Sequence, residues 1–205
     1  MKNRMFIATA ALSALLFSSG CASGPSTTVT RVDASTQTDL SGYWNDTDLR
    51  TVCSTLIEDC LASPRVAKFQ KQNGKLPVII VGSFRNNSDE HIDTSIISKK
   101  MEAAIVNSGE AEFVASKIER DEIRDERTEQ QSWASEETVK ALANETGADF
   151  MLTGSVKTIV DQAGGVSTRT YYVSAELIDV ETNKKIWIGD NSDIKKIIKR
   201  SSVRF

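Results

Sequence analysis

Apolar positions in this chain fall into blocks of different period, and the period predicts the elements. Residues 49, 52, 53, 56, 57, 60 and 61 form a helical stripe across Asp48–Leu61, with Asp46 or Thr47 placed to cap it. Ser63-Pro64 reads as a cap and first-turn proline for a second, short helix ending at Asn73-Gly74. Leu76–Phe84 (LPVIIVGSF) is compact, β-branched and apolar, the pattern of a strand buried on both faces. A polar loop, Arg85–Glu90, leads to a helix carrying Ile92, Ile96, Ile97, Met101, Ala104 and Ile105 on one stripe, closed by Gly109. Phe113–Ala115 follows as a short second strand, which completes a βαβ unit of right-handed crossover.

Ser116 and Glu119 make a capping box for the segment KIERDEIRDERTEQ, in which ten of fourteen residues are charged. Such a helix buries little, so it lies on the surface or serves a contact. Ser135 is placed to cap a further helix through Val139, Leu142 and Ala143, ended by Gly147. Strict alternation then returns: Phe150, Leu152, Gly154 and Val156 in a strand over 149–160, and Tyr171, Val173, Ala175 and Leu177 in the next. Gly164-Gly165 turns the chain between them, Glu181–Lys184 turns it again, and Lys185–Ile188 is the fifth strand. Residues 191–205 are basic, and Ile194, Ile197 and Ile198 suggest a short last helix. The order predicts an α/β fold, a single small mixed sheet with helices packed on it.

The first 20 residues have a different character. Lys2 and Arg4 precede an apolar run, Met5–Phe17, of signal-peptide length, and Ser18-Ser19-Gly20 leads into Cys21. A small residue before a cysteine at the end of such a run resembles a bacterial lipobox, which makes Cys21 the candidate lipidation site. Acyl chains there would anchor the chain at roughly 0.8 kcal/mol per buried methylene. Residues 22–39 are Ser/Thr-rich without apolar period and read as a tether, about 60 Å long when stretched. The expected organisation is thus a signal peptide (1–20), a lipidated tether (21–39), an α/β domain (40–190) whose residues 40–73 are a helical lead-in, and a basic tail (191–205). Loss of Lys2 and Arg4 with the signal leaves 23 basic against 28 acidic residues, a balance that argues against nucleic acid. Cys53 and Cys60, seven apart on one helix face, stand about 10 Å apart, too far to bond, and read as buried small hydrophobes.

Catalytic constellations are sparse. His91, the single histidine, has Asp89, Glu90 and Asp93 near it, but a metal site needs further converging ligands, and the residue reads as a polar position in the first helical turn. No nucleophile elbow, paired CxxC or His-Glu-x-x-His is present, so neither an enzyme nor a cofactor or metal is expected. The acids of RDEIRDER alternate with arginines at i,i+3 and i,i+4, the mark of a salt-bridged solvated face. Tyr43 and Trp44 are either core anchors or exposed contacts, whereas Trp133 and Trp187 read as packing residues.

Five segments together, LSGYWNDTDLR at 40–50, VIIVGSFRNNSDEHI at 78–92, RDEIRDER at 120–127, ETGADFMLTGSV at 145–156 and ELIDVETNKKIWIG at 176–189, resemble the LpoB family. That resemblance implies a fold similar to the TolB N-terminal domain and a periplasm-facing outer-membrane lipoprotein. It implies a class A penicillin-binding protein as partner, activated allosterically through its regulatory domain. It points to Ser83, Arg85, Asn86, Asn87, Ser88 and Thr153 as docking residues. Thr153 stands where the best-known members carry an aromatic residue, and the tether is shorter than theirs. A structural or assembly lipoprotein of the CsgG-like type is the alternative expectation.

Overall fold

The structure is a computed structural model that describes residues 29–33, 35–37, 39–133 and 147–199. The signal segment, Cys21 and the helix expected from Ser135 lie outside the described residues. Residues up to Thr36 form one unit and Gln37–Phe205 another. In the first, Thr36 N donates to Asp33 O in a turn.

The second unit opens with α1 (Asp46–Leu61) and α2 (Pro64–Asn73). The cap of α1 is Asn45, one residue before the expected caps: its side chain accepts from the Thr47 and Asp48 amides while Asp48 returns a bond to the Asn45 amide. Leu49, Val52, Cys53, Leu56, Ile57, Cys60 and Leu61 are all buried, the whole predicted stripe. For α2, Ser63 caps, Pro64 takes the first turn and Gly74 closes with φ +62°, a conformation that suits glycine. Burial pushes the thiol of Cys53 up to about 11 and that of Cys60 up to about 12. Thiolate is the reactive form, so both residues should resist iodoacetamide at pH 8 in the native chain and label fully in urea. Mass spectrometry of the two peptides checks this, and native labelling at the urea rate would contradict it.

Strand β1 (Val78–Asn87) is followed by α3 (Thr94–Ser108), β2 (Glu112–Phe113) and α4 (Lys117–Trp133). Then come β3 (Phe150–Ala163), β4 (Val166–Asp179), β5 (Lys185–Asn191) and β6 (Lys195–Lys199). The sheet runs β2-β1-β3-β4-β5, parallel at β2-β1-β3 and antiparallel from β3 on. This is the expected α/β class with one mixed sheet. Leu152, Val156, Tyr171, Val173, Ala175 and Leu177 are fully buried on the face that receives the helices. Aliphatic side chains of this size stabilise by about 1.5–3 kcal/mol each when fully buried. Trp187 lies over Gly189, and its indole N–H donates to Asp59 at 2.7 Å, which ties β5 to α1.

Several expectations are corrected. The isoleucines at 194, 197 and 198 do not make a helix: residues 195–199 are β6, paired antiparallel with Val166–Thr170 of β4. Arg85–Asn87 are not loop but the end of β1, paired with Ser155–Lys157. Nor is β1 buried on both faces, since Ser83 and Arg85 are exposed. Ile96 is half exposed, and Ile92 is buried before α3 begins. His91 sits ahead of the Asp93 cap, outside the helix. Trp133 is 86% exposed and packs against none of the described residues to any extent that buries it. Trp44 is partly buried against Tyr171, with ring centroids 5.2 Å apart, while Tyr43 stays exposed.

The capping box of α4 forms as read: Ser116 N donates to Glu119 and Glu119 N to Ser116 Oγ. Lys99, then Ser116, holds the Glu119 carboxyl down at about 2. No residue of α4 is buried, as its charge pattern requires.

Candidate docking face

The register of β1 against β3 slips between Val81 and Phe84, where β1 carries one extra residue. Up to Val81, odd residues face the helices. After the bulge, Phe84 takes the core position opposite Gly154, and Arg85 and Asn87 turn to the other face. A side chain on residue 154 would meet the Phe84 ring at 2.2 Å, so the bare glycine makes room for it.

The bulge thus decides which polar groups meet solvent. Ser83, Arg85 and Asn87 of β1 line a shallow cleft of about 440 Å³ with Thr153 and Lys157 of β3 and Glu176 of β4. The hydroxyls of Ser155 and Ser174 meet across its floor at 3.1 Å. Glu176 accepts from Lys185 at 2.8 Å. Arg85 and Lys157 form no ion pair among the described residues, so two cationic side chains stand uncompensated on this face. Helices α1 and α3 pack on the opposite side.

Four of the six residues singled out from the sequence therefore converge: Ser83, Arg85, Asn87 and Thr153. Asn86 and Ser88 do not join them. Asn86 Nδ2 donates to Glu90 O at 2.7 Å, and its Oδ1 accepts from Ser88 N and Oγ. This Asx turn shapes the loop rather than facing the cleft. Lys157, Ser174 and Glu176 were missed, although the strict alternation of β3 and β4 places them on the outward face.

Below the loop lies a polar knot absent from the sequence reading. Glu90, with its side chain 7% exposed, is paired with Arg169, whose side chain is 11% exposed. The Glu90 carboxylate also accepts from Tyr171 OH at 2.5 Å and from Trp44 N at 3.0 Å. Arg169 reaches Asp89 at 2.8 Å, and Thr158 donates to Asp89 at 2.6 Å. The Thr158 bond first, then the Arg169 charge, holds the Asp89 carboxyl below its usual range. Burial, then the Glu90 carboxylate, pushes the Tyr171 phenol far up. Lys196 of β6 bridges Asp48 at 2.6 Å and Tyr43 O at 2.7 Å. The knot fastens residues 42–45 and the 86–90 loop to one point of the sheet, so the loop has a fixed shape. Among the described residues, no group of three His, Cys, Asp or Glu is placed to hold a metal ion.

The profile of the family described as peptidoglycan-synthase activator LpoB matches residues 48–192. A comparison with curated proteins finds no match. Among solved structures, the chain is similar to the LpoB C-terminal domain from Escherichia coli, at 16% identity over 75% of this chain and 99% of that one, TM-score 0.43. The LpoB C-terminal domain from Salmonella enterica is similar at 16% identity over 75% and 99%, TM-score 0.39. Lipoprotein GNA1162 from Neisseria meningitidis is similar at 19% identity over 62% and 88%, TM-score 0.37. With most of its length matched by that profile, from the capping box of α1 to the end of β5, the chain belongs to the LpoB family of peptidoglycan-synthase activators.

Proposed function

We propose that this chain is an outer-membrane lipoprotein, anchored through Cys21 and facing the periplasm, that docks on the regulatory domain of a class A penicillin-binding protein and activates it. In this reading residues 1–20 are a removed signal, 21–39 a tether, and the chain from residue 40 through β6 the docking domain, so that the expected tail from 191 begins inside the sheet. The carrying observation is the convergence of Ser83, Arg85, Asn87 and Thr153 on one sheet face that no described helix covers, with Arg85 and Lys157 in no ion pair among the described residues. A partner surface that supplies carboxylates meets this face with complementary potential. Activation then needs no chemistry from the chain itself. It needs the face to bind the synthase's active conformation more tightly than the resting one, by about 1.4 kcal/mol for each tenfold shift in population.

Asn86 and Ser88 act in this scheme by holding the 86–90 loop in shape. Arg85→Glu combined with Lys157→Glu should weaken synthase binding at least about a hundredfold, roughly 2.7 kcal/mol. Asn86→Ala should weaken it less, through the loop. Surface plasmon resonance against each purified class A enzyme of the source organism tests this. Equal binding by the double variant would remove the sheet face from the docking surface.

A further inference from the structure

A second cleft, about 680 Å³, opens on the helix side of the fold between the start of α1, the loop before α3 and residues 43–45. Its floor is apolar: Leu49 and Ile92 are buried there and Trp44 is partly so. Its mouth is also apolar, with Tyr43 58% and Ile96 49% exposed. A surface that leaves two large apolar side chains half in water beside a concavity of this size fits a ligand with apolar groups. The polar part of the lining is mostly acidic, with Asn45 and His91 as its other members. Asp46, Asp89, Glu90 and Asp93 contribute carboxylates, and no lysine or arginine lines the cleft. Behind them Arg50 pairs with Asp46, and Arg169 with Asp89 and Glu90. Four carboxylates against two guanidinium groups leave a formal charge of −2.

The starts of α1 and α3 both border the cleft, but neither offers an anion site. Asn45 already takes the Thr47 and Asp48 amides, and Asp93 takes that of Ser95. An anionic ligand would meet carboxylates instead of free N–H groups.

We propose that this cleft binds a peptide segment in which apolar side chains are flanked by lysine or arginine. The apolar side chains would cover Tyr43 and Ile96, and the cations would sit against Asp46 and Asp93. This surface lies on the helix side, apart from the sheet face carrying Arg85, and does not depend on what occupies that face.

The test is fluorescence anisotropy with the full chain in mild detergent, read against protein-free micelles. Three labelled hexapeptides serve as probes: alternating Lys-Leu, alternating Glu-Leu and alternating Lys-Ser. Lys-Leu should bind, and the other two at least about tenfold more weakly (1.4 kcal/mol). Ile96→Lys should weaken Lys-Leu binding at least tenfold, Ile96→Leu should retain it, and Arg85→Glu should leave it unchanged. Ile96 is half exposed in the first turn of α3, so both variants should keep the fold, with a melting curve as control. Equal binding of Glu-Leu, or binding indifferent to Ile96→Lys, would overturn the proposal. So would displacement by an uncharged octyl glycoside irrespective of peptide charge, which would assign the cleft to acyl chains. Cross-linked dimers lost in Ile96→Lys would assign it to a second copy of the chain and overturn it equally.

Discussion

Replacing Arg169 by methionine should lower the free energy of unfolding by about 3–5 kcal/mol, the range for removing one partner of a buried ion pair. The cause is the carboxylate left behind. Among the described residues Glu90 is nearly as buried as any charged group, and Arg169 is the one cation bonded to it. Tyr171 OH and Trp44 N would still donate to it, but neither carries charge. The loss should shrink by at least half when Arg169→Met is paired with Glu90→Gln, because no buried charge then remains uncompensated. Urea unfolding of the four chains measures the cycle. A loss below about 1 kcal/mol in the single variant would place the pair among solvated surface bridges.

The second large effect is steric. Gly154→Ala should destabilise by about 3 kcal/mol, the upper range for overpacking. The new methyl would lie 2.2 Å from Phe84 Cε1 and 2.4 Å from the backbone oxygen of Ser174. A ring can rotate, but the carbonyl belongs to the β3–β4 ladder and cannot move without breaking register. Shrinking Phe84 to leucine should therefore fail to rescue the variant. The same denaturation experiment decides this, and full rescue by Phe84→Leu would show that the ring alone filled the space.

These two sites differ in how far they could be read from sequence. The alternation of Tyr171, Val173, Ala175 and Leu177 states outright which face of β4 is buried, and all four have zero exposure. The α1 stripe and the Ser116–Glu119 box are equally local, and both form. What escaped depends on distance along the chain. Residues 195–199 carry isoleucines at spacings that suit a helix, and only an unpaired edge on β4, 25–33 positions upstream, makes them a strand. Arg85–Asn87 read as loop because a strand with one solvated face, past a bulge, shows no hydrophobic run. The Glu90–Arg169 pair spans 79 positions, and no short-range pattern announces it.

The candidate face shows the same division. Arg85, Asn87 and Thr153 were singled out through the family resemblance alone, because Arg85–Asn87 read as loop and no strand parity tied them to Thr153. The bulge that brings Ser83 along, and the Asx turn that withdraws Asn86 and Ser88 from the cleft, are tertiary facts. Lys157 was legible as an outward residue of β3 but lay outside the segments that carried the resemblance.

The central claim is that this sheet face activates a peptidoglycan synthase. The most direct measurement is the initial rate of glycan polymerisation by the source organism's purified class A penicillin-binding proteins, with and without the full chain in the detergent the enzyme requires. The account predicts a several-fold rise with at least one enzyme, lost in the Arg85→Glu/Lys157→Glu chain and kept in Ile96→Lys. An unchanged rate with every enzyme, or equal stimulation by the double variant, would contradict it.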